Sequence, residues 1–269
     1  MPVRVSLVIN TLNEEHNIGD CIRSATGFAD EVIVVDMSST DRTAEEAKAA
    51  GAIVHTIQRA PFVDPTRNYA LSLATGNWIL LLDADERLTP GLKVELRKIA
   101  EEDSADVVNI FDATYMFGHR IHYSGWQNAC RRSFFKKGFL VYPETEVHAH
   151  PVNKGRLLTL EPTKGVVLHF NYRDLSHFIK KLNDYTDGEA LKLLRTGGAL
   201  TPLRGVYWGA RHFFRRYFLL SGYKDGVYGF ILSILIGFYW FMAFCKAWER
   251  RQKDYSPATK VDSLERREI

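Results

Sequence analysis

The sequence predicts an α/β protein, a mostly parallel β-sheet flanked by helices, with an apolar helical tail at its carboxyl end. Three observations carry that expectation. Short apolar runs alternate with helical periodicity from residue 4 to about residue 111; the run Trp78–Leu82 has no polar alternation; and residues 226–245 hold no charged side chain. The 269 residues are 46% hydrophobic and 25% charged, which allows a full core and excludes a disordered chain. A net charge of +3 is too small to argue for a nucleic-acid partner, and none is expected. Cys21, Cys130 and Cys245 lie far apart and form no metal pattern or disulfide framework, which fits a reducing compartment. The opening "MPVRVSLVIN" is too short and too strand-like for a signal peptide, so the catalytic domain is expected in the cytoplasm.

Taken in order, "RVSLVIN" reads as a strand, Glu15 to Gly27 as a helix, "EVIVVD" as a strand and Arg42 to Gly51 as a helix. "AIVHTI" then reads as a strand, Pro65 to Thr75 as a helix, "NWILLLD" as a strand, Pro90 to Glu102 as a helix and "DVVNIF" as a strand. Strands separated by helices of this length imply right-handed crossovers and a parallel sheet. No G-x-G-x-x-G follows the first strand and no G-x-x-x-x-G-K-[ST] occurs, so any nucleotide is held another way.

Polar and acidic residues gather where the strands end, as "NTLNEE", "DMSSTDRT" and "DADE". An open α/β sheet binds ligands at that edge. Asp36 ends its strand as an ionised acceptor for a base or ribose, whereas Asp41, in "SSTDRT", suits a helix start. Arg67 opens the helix before the acidic strand, where a guanidinium suits a diphosphate. Asp83 and Asp85 repel each other unless something positive lies beside them. A divalent cation bridging to phosphate answers that, and so does a solvated turn before an N-cap at Thr89 and Pro90.

The stretches "VINTLNEEHNI", "EVIVVDMSSTDRT" and "TRNYALSLATGNWILLLDADE" together resemble the N-terminal signature of glycosyltransferase family 2, the inverting GT-A enzymes that use nucleotide-diphosphate sugars. The resemblance covers about residues 4 to 100 and implies a GT-A fold. It also implies that Thr11, Asn13, Glu14 and Asp36 surround the nucleoside, that Arg67 meets the diphosphate, and that Asp83 to Asp85 form the metal and sugar-nucleotide motif. "RRSFFKKG", "YPETEVHAHPVNKGRLLTL" and "VVLHFNYRDLSHFIKKLNDYT" are similar to the branch with lipopolysaccharide-core β-1,4-glucosyltransferases. That branch commonly has V-H-E where this chain has Val147-His148-Ala149, which removes one candidate base.

Inversion needs a general base beside the acceptor hydroxyl. Glu146, with Glu144 second, is the candidate; the two share a face if "ETEVHAH" is extended, and either has Arg131 or Arg132 as an alternative, structural partner. His169 ends "GVVLH" and suits a third metal ligand beside Asp83 and Asp85, or a structural bond to a carbonyl. Trp126 is a sugar-stacking candidate, or a core residue.

The apolar stretch 226–245 is long enough to cross a bilayer, which takes about 20 residues. The basic, aromatic segment "LRGVYWGARHFFRRYFLLSGYK" precedes it and "KAWERRQK" follows, so charge picks no orientation. An in-plane or re-entrant pair of helices is preferred to a span, with Arg211, Arg215 and Arg216 toward anionic lipid. The expected layout is a GT-A domain over 1–200, membrane-associating helices over 201–252 and a polar tail over 253–269. Within the GT-A domain, residues 1–115 are expected to bind the nucleotide sugar and residues 116–200 the acceptor. The expected activity is transfer of a hexose, glucose first, from a UDP-sugar with Mg²⁺ or Mn²⁺ to a lipopolysaccharide-core or lipid-linked glycan, on the cytoplasmic face of the inner membrane. Transfer to a polyprenyl phosphate, and a non-catalytic membrane-bound sugar-nucleotide-binding protein, are the alternatives.

Overall fold

The computed structural model describes residues 2–59, 64–126, 129–142, 151–196 and 200–254. Glu144 and Glu146, with His148 and His150, lie outside the described residues. In chain order the elements are β1 (Val5–Thr11), α1 (Ile18–Ser24), β2 (Glu31–Asp36), α2 (Thr43–Ala49), β3 (Ile53–Thr56), α3 (Asp64–Leu73), β4 (Trp78–Asp83), β5 (Glu86–Leu88), α4 (Pro90–Glu101), β6 (Val107–Met116) and β7 (His119–Arg120). There follow β8 (Cys130–Lys136), β9 (Leu140–Val141), β10 (Val152–Asn153), β11 (Leu157–Thr159), β12 (Val167–Tyr172), α5 (Leu175–Arg195), α6 (Pro202–Phe214) and α7 (Gly226–Asp254). The chain forms two compact units, Met1–Tyr115 with Asn128–Asn171, and Met116–Gln127 with Tyr172–Ile269.

In the first unit the main sheet runs β3-β2-β1-β4-β8-β6-β12-β5, with β11 also beside β6. The strands read from the first hundred residues pair in parallel: β1 lies between β2 and β4, and β3 joins β2. The second half adds antiparallel strands, β8 between β4 and β6, and β12 against β5, so the complete sheet is mixed. Side chains alternate between two apolar layers, as a sheet covered on both faces requires. Leu7, Ile9, Leu80 and Leu82 pack with Ile18, Cys21 and Leu92. Val8, Ile79 and Leu81 pack with Ala70, Leu71 and Phe135.

The expected helices and strands appear with ends moved by a few residues. Thr89 stands at the N-cap of α4 with Pro90 in the first turn, but its hydroxyl donates to the Val166 carbonyl at 2.9 Å instead of capping the helix. The β4 entry is braced from below: Glu31 accepts from the Thr75 N–H at 2.6 Å and the Gly76 N–H at 3.2 Å.

The second unit holds α5, α6 and α7 with the segment 116–127. α5 packs its buried Phe178 and Leu182 into one cluster with Leu232 and Met116, and Ala190 into another with Phe244 and Ala247. Helix 175–195, expected with the acceptor-binding residues, thus shares its core with α7.

A Cβ on Gly76 would stand 2.7 Å from the Arg4 carbonyl and 2.7 Å from the Ser6 hydroxyl, with backbone that has no room to yield. Gly76→Ala is therefore expected to lower unfolding free energy by about 1–3 kcal/mol. Gly188→Ala in α5, where nothing lies within 4 Å, is expected to raise it by about 0.5–1 kcal/mol. Urea unfolding of the two variants checks both signs.

Candidate active site

The carboxyl ends of β1, β2 and β4 lie level, because Thr11 pairs with Asp36 and Asn10 with Asp83. Their loops brace one another. The Asn13 N–H donates to Ser39 Oγ at 2.9 Å, Asn13 Oδ1 accepts from the Thr40 N–H at 2.8 Å, and the Glu14 N–H donates to Thr43 Oγ1 at 2.7 Å. Asn13 takes a left-handed backbone, φ 56°, which asparagine tolerates better than most residues. Thr11 and Asp36 are buried, and Asp36 accepts from the Ser39 N–H at 3.1 Å and from the Ser39 hydroxyl. Asp41 accepts from the Thr43 N–H at 3.0 Å at the start of α2.

The acid that ends β4 meets positive charge. Asp83 Oδ2 lies 2.7 Å from Arg131 on β8 and Oδ1 lies 3.3 Å from Arg67 on α3. Arg67 also lies over the Tyr142 ring, 5.4 Å from its centroid. After Asp83 the chain turns sharply: the Asp83 N–H donates to the Glu86 carboxylate at 2.8 Å, while Arg87 donates to the Ala84 and Glu86 carbonyls, each at 2.9 Å. β5 then runs antiparallel to β12 with Glu86 opposite His169. That register brings a histidine far away in sequence to the acidic turn. His169 Nε2 lies 3.6 Å from Asp85 and Nδ1 lies 3.8 Å from Asp112 of β6. Arg131 also pairs with Glu86 and lies 3.5 Å from Asp112.

The sequence pattern of glycosyl transferase family 2 matches residues 6–158, more than half of the chain. The chain belongs to glycosyl transferase family 2. An uncharacterized glycosyltransferase of Rickettsia typhi is 30% identical over 264 residues, covering 90% of this chain and 86% of that protein. The lipopolysaccharide core biosynthesis glycosyltransferase LpsC of Rhizobium meliloti is 26% identical over 257 residues, covering 91% and 92%. Both alignments cover too much of the chain to stop at residue 158, so they run on into the helical unit. A solved structure of glucosyl-3-phosphoglycerate synthase from Mycobacterium tuberculosis with Mn²⁺ and UDP-glucose is 23% identical, with a TM-score of 0.35 over 42% of this chain and 44% of that one.

Within this family 2 site, Glu86, Asp112 and His169 each offer a ligand atom, all within 4.8 Å of one another. Oxygen donors with one imidazole suit a hard or borderline divalent cation, so the donor set fits Mg²⁺ or Mn²⁺. Asp85 joins through His169, whereas both Asp83 oxygens face guanidinium groups. The expected trio Asp83, Asp85 and His169 therefore lies together, and two carboxylates not expected there, Glu86 and Asp112, share the space. Glu86 was visible as the third acid of "DADER", and Asp112 as an acid directly after the apolar run "VVNIF". Arg131 faces Asp83, Glu86 and Asp112. Arg132 donates to the Pro151 carbonyl at 2.6 Å.

Trp126, the sugar-stacking candidate, belongs to the second unit and covers the Arg216 guanidinium there, 4.1 Å from ring centroid to carbon.

Charge and burial oppose each other here. Burial raises the Asp83 pKa, but Arg67, Arg131 and His169 outweigh it and hold the carboxyl below its usual range. Burial pushes Asp112 up, only partly offset by His169. For His169, burial favours the neutral ring, yet Asp112 and Asp85 more than offset it and raise the pKa to about 9. A proton held more tightly in the fold stabilises it fully below the unfolded value of about 6.5, and that contribution is lost as pH rises through about 9. In EDTA, the wild-type unfolding midpoint is expected to fall across that window, and His169→Gln to remove most of the fall. A parallel pH dependence in the variant would assign the proton to another group.

Proposed function

We propose that the protein is an inverting, metal-dependent hexosyltransferase that moves a hexose, glucose first, from a UDP-sugar to a hydroxyl of a lipopolysaccharide-core or lipid-linked glycan. The observation that carries this reading is the gathering of Asp83, Asp85, Glu86, Asp112 and His169 with Arg67 and Arg131 at the strand ends. Carboxylates and an imidazole suit a divalent cation, and paired guanidinium groups suit a diphosphate. The similarity to LpsC over most of both chains supports the class of acceptor. An acceptor of that class belongs at the cytoplasmic face of the inner membrane.

In this reading Thr11, Asn13, Glu14 and Asp36 hold the nucleoside, in loops already cross-braced before the donor arrives. Arg67, joined by Arg131, exchanges Asp83 for the donor's diphosphate oxygens. A cation bound by Asp83, Asp85 and His169, or by His169 with Glu86 and Asp112, would supply positive charge against the leaving diphosphate. Glu146, with Glu144 second, takes the proton from the acceptor hydroxyl. The hydroxyl oxygen bonds to the anomeric carbon while the bond from that carbon to the diphosphate breaks, and the electron pair leaves with UDP. Attack from the face opposite the leaving group inverts the centre.

The deciding experiment is transfer from a panel of nucleotide sugars with membrane glycolipid extract as acceptor. Asp85→Ala and EDTA are each expected to reduce transfer by about a hundredfold or more, with far-UV circular dichroism unchanged by the substitution. Glu146→Gln is expected to lower kcat by about a hundredfold or more at unchanged donor affinity. Wild-type transfer after EDTA would remove the metal. Unchanged kcat in Glu146→Gln would move the base to Glu144.

A further inference from the structure

The helical unit has an apolar face that its own packing leaves uncovered. α6 and α7 run antiparallel, since Gly205 approaches Phe244 and Phe241 while Gly209 approaches Gly237. A Cβ on Gly209 would lie 2.8 Å from the Gly237 carbonyl oxygen, and one on Gly237 would lie 2.9 Å from that of Gly209. This is backbone-to-backbone packing at Gly-x-x-x-Gly spacing, the kind that associates helices where lipid is the solvent.

A second side of α7 is covered by α5, whose Phe178 and Leu182 cluster with Leu232, Leu235 and Tyr239. Farther along, Lys246 pairs with Asp187 of α5 at 3.3 Å and Arg250 donates to the Asp187 carbonyl at 3.0 Å. What remains outward on α7 is a stripe at helical spacing: Val227 (63% exposed), Phe230 (42%), Ile234 (46%) and Phe238 (42%). Only 33% of the most apolar window of this helix is buried, far less than a core helix requires. Phe230 meets Phe213 and Tyr217 at the end of α6, so the apolar surface continues across the pair to the exposed Phe214 and Phe218.

Charge indicates the occupant. From Thr201 to Lys224 the chain carries no acidic residue, and Arg211 and Arg215 are exposed on and just after α6. Arg216, expected to join them, is turned away: it donates to the Ser124 carbonyl and lies under Trp126. Aromatic and aliphatic groups beside exposed guanidinium groups match the boundary of an anionic bilayer. α5 then limits the geometry. It accompanies α7 along much of its length and exposes Lys180 and Asp184, which a spanning α7 would carry into hydrocarbon.

We propose that α6 and α7 form a hairpin lying in one leaflet of an anionic membrane, its Phe230–Ile234–Phe238 stripe in the acyl boundary and Arg211 and Arg215 among the headgroups, with no crossing. This rests on the membrane-associating reading of the tail and is independent of the donor and acceptor assigned above. The test uses the full-length chain with terminal tags. Flotation compares phosphatidylcholine vesicles with vesicles that also contain phosphatidylglycerol, and protease access to both tags is read in sealed membranes.

Preferential flotation with the anionic vesicles and both tags on one side are expected. Arg211→Glu with Arg215→Glu, and Ile234→Glu with Phe238→Glu, are each expected to weaken anionic-vesicle binding by about tenfold or more at unchanged far-UV circular dichroism and donor hydrolysis. Tags on opposite sides would overturn the one-leaflet placement while keeping the membrane reading. Equal binding to both vesicles would overturn the role of the arginines. A protein that ignores vesicles and forms a dimer dispersed by Ile234→Glu would overturn lipid as the occupant, and the membrane reading with it.

Discussion

Asp83 sits where a carboxylate ending a buried strand would otherwise be costly, and the two guanidinium groups upon it organise the site. Its side chain keeps 33% of its surface, so it belongs to a partly exposed charged cluster and not to the core. Arg67 reaches it from α3 and Arg131 from β8, tying a helix and an antiparallel strand to the end of β4. Arg131 extends the network to Glu86 and Asp112, and through Asp112 to His169 on β12. Four carboxylates against two arginines and a histidine leave the cluster rich in acceptors, which is the condition under which a cation is attracted. A partner removed from such a cluster leaves an uncompensated charge behind, so these residues stand or fall together.

How much of this was legible depended on distance along the chain. The parallel half was readable because each strand carries its own pattern and each crossover helix follows directly. The acidic end of β4 was readable for the same reason, as an apolar run that stops at Asp83. The antiparallel half was less accessible. Nothing local in "DERL" says that Glu86 faces His169; that follows from the register of β5 against β12, set by residues some eighty positions apart. Arg131 reaches the acidic cluster from β8, whose pairing with β6 shifts register between Val108 and Asn109, a feature without a sequence signature here. Asp36 shows a subtler gap. A strand-end carboxylate suggested a ligand, while the structure also has it accepting from Ser39, so one residue shapes the loop it is expected to use.

In the helical unit, composition was readable and arrangement was not. An uncharged stretch flanked by basic residues suits contact with lipid, but the same letters serve a span, a re-entrant loop or an in-plane pair. What separates these is which sides of α7 are already taken. The glycines of α6 are decisive, because a helix face without side chains lets the backbones approach and gives nearby aromatic side chains less room between the helices. Some of the aromatic material of α6 and α7 is thereby left outside, where water penalises it and lipid does not. Trp126 and Arg216 carry a related lesson: the first reads as a sugar-stacking or a core residue and the second as a headgroup contact, and the structure packs them against each other.

The two units differ in what their surfaces offer. The cluster at the end of β4 consists of ionised groups whose interactions depend on partial exclusion of water, and the loops beside it are braced by side-chain hydrogen bonds such as Asn13 to Thr40. The hairpin presents apolar area and exposed guanidinium groups, and its internal contacts are close backbone approach and ring packing, including Trp208 against Phe244. A glycan anchored to lipid diffuses in two dimensions, and a catalyst held on the same surface meets it at a far higher effective concentration than one free in solution. Under the proposed function, the acidic cluster at the end of β4 suits a charged donor and the stripe on α7 suits a surface that carries a lipid-anchored acceptor, so one reading accommodates both.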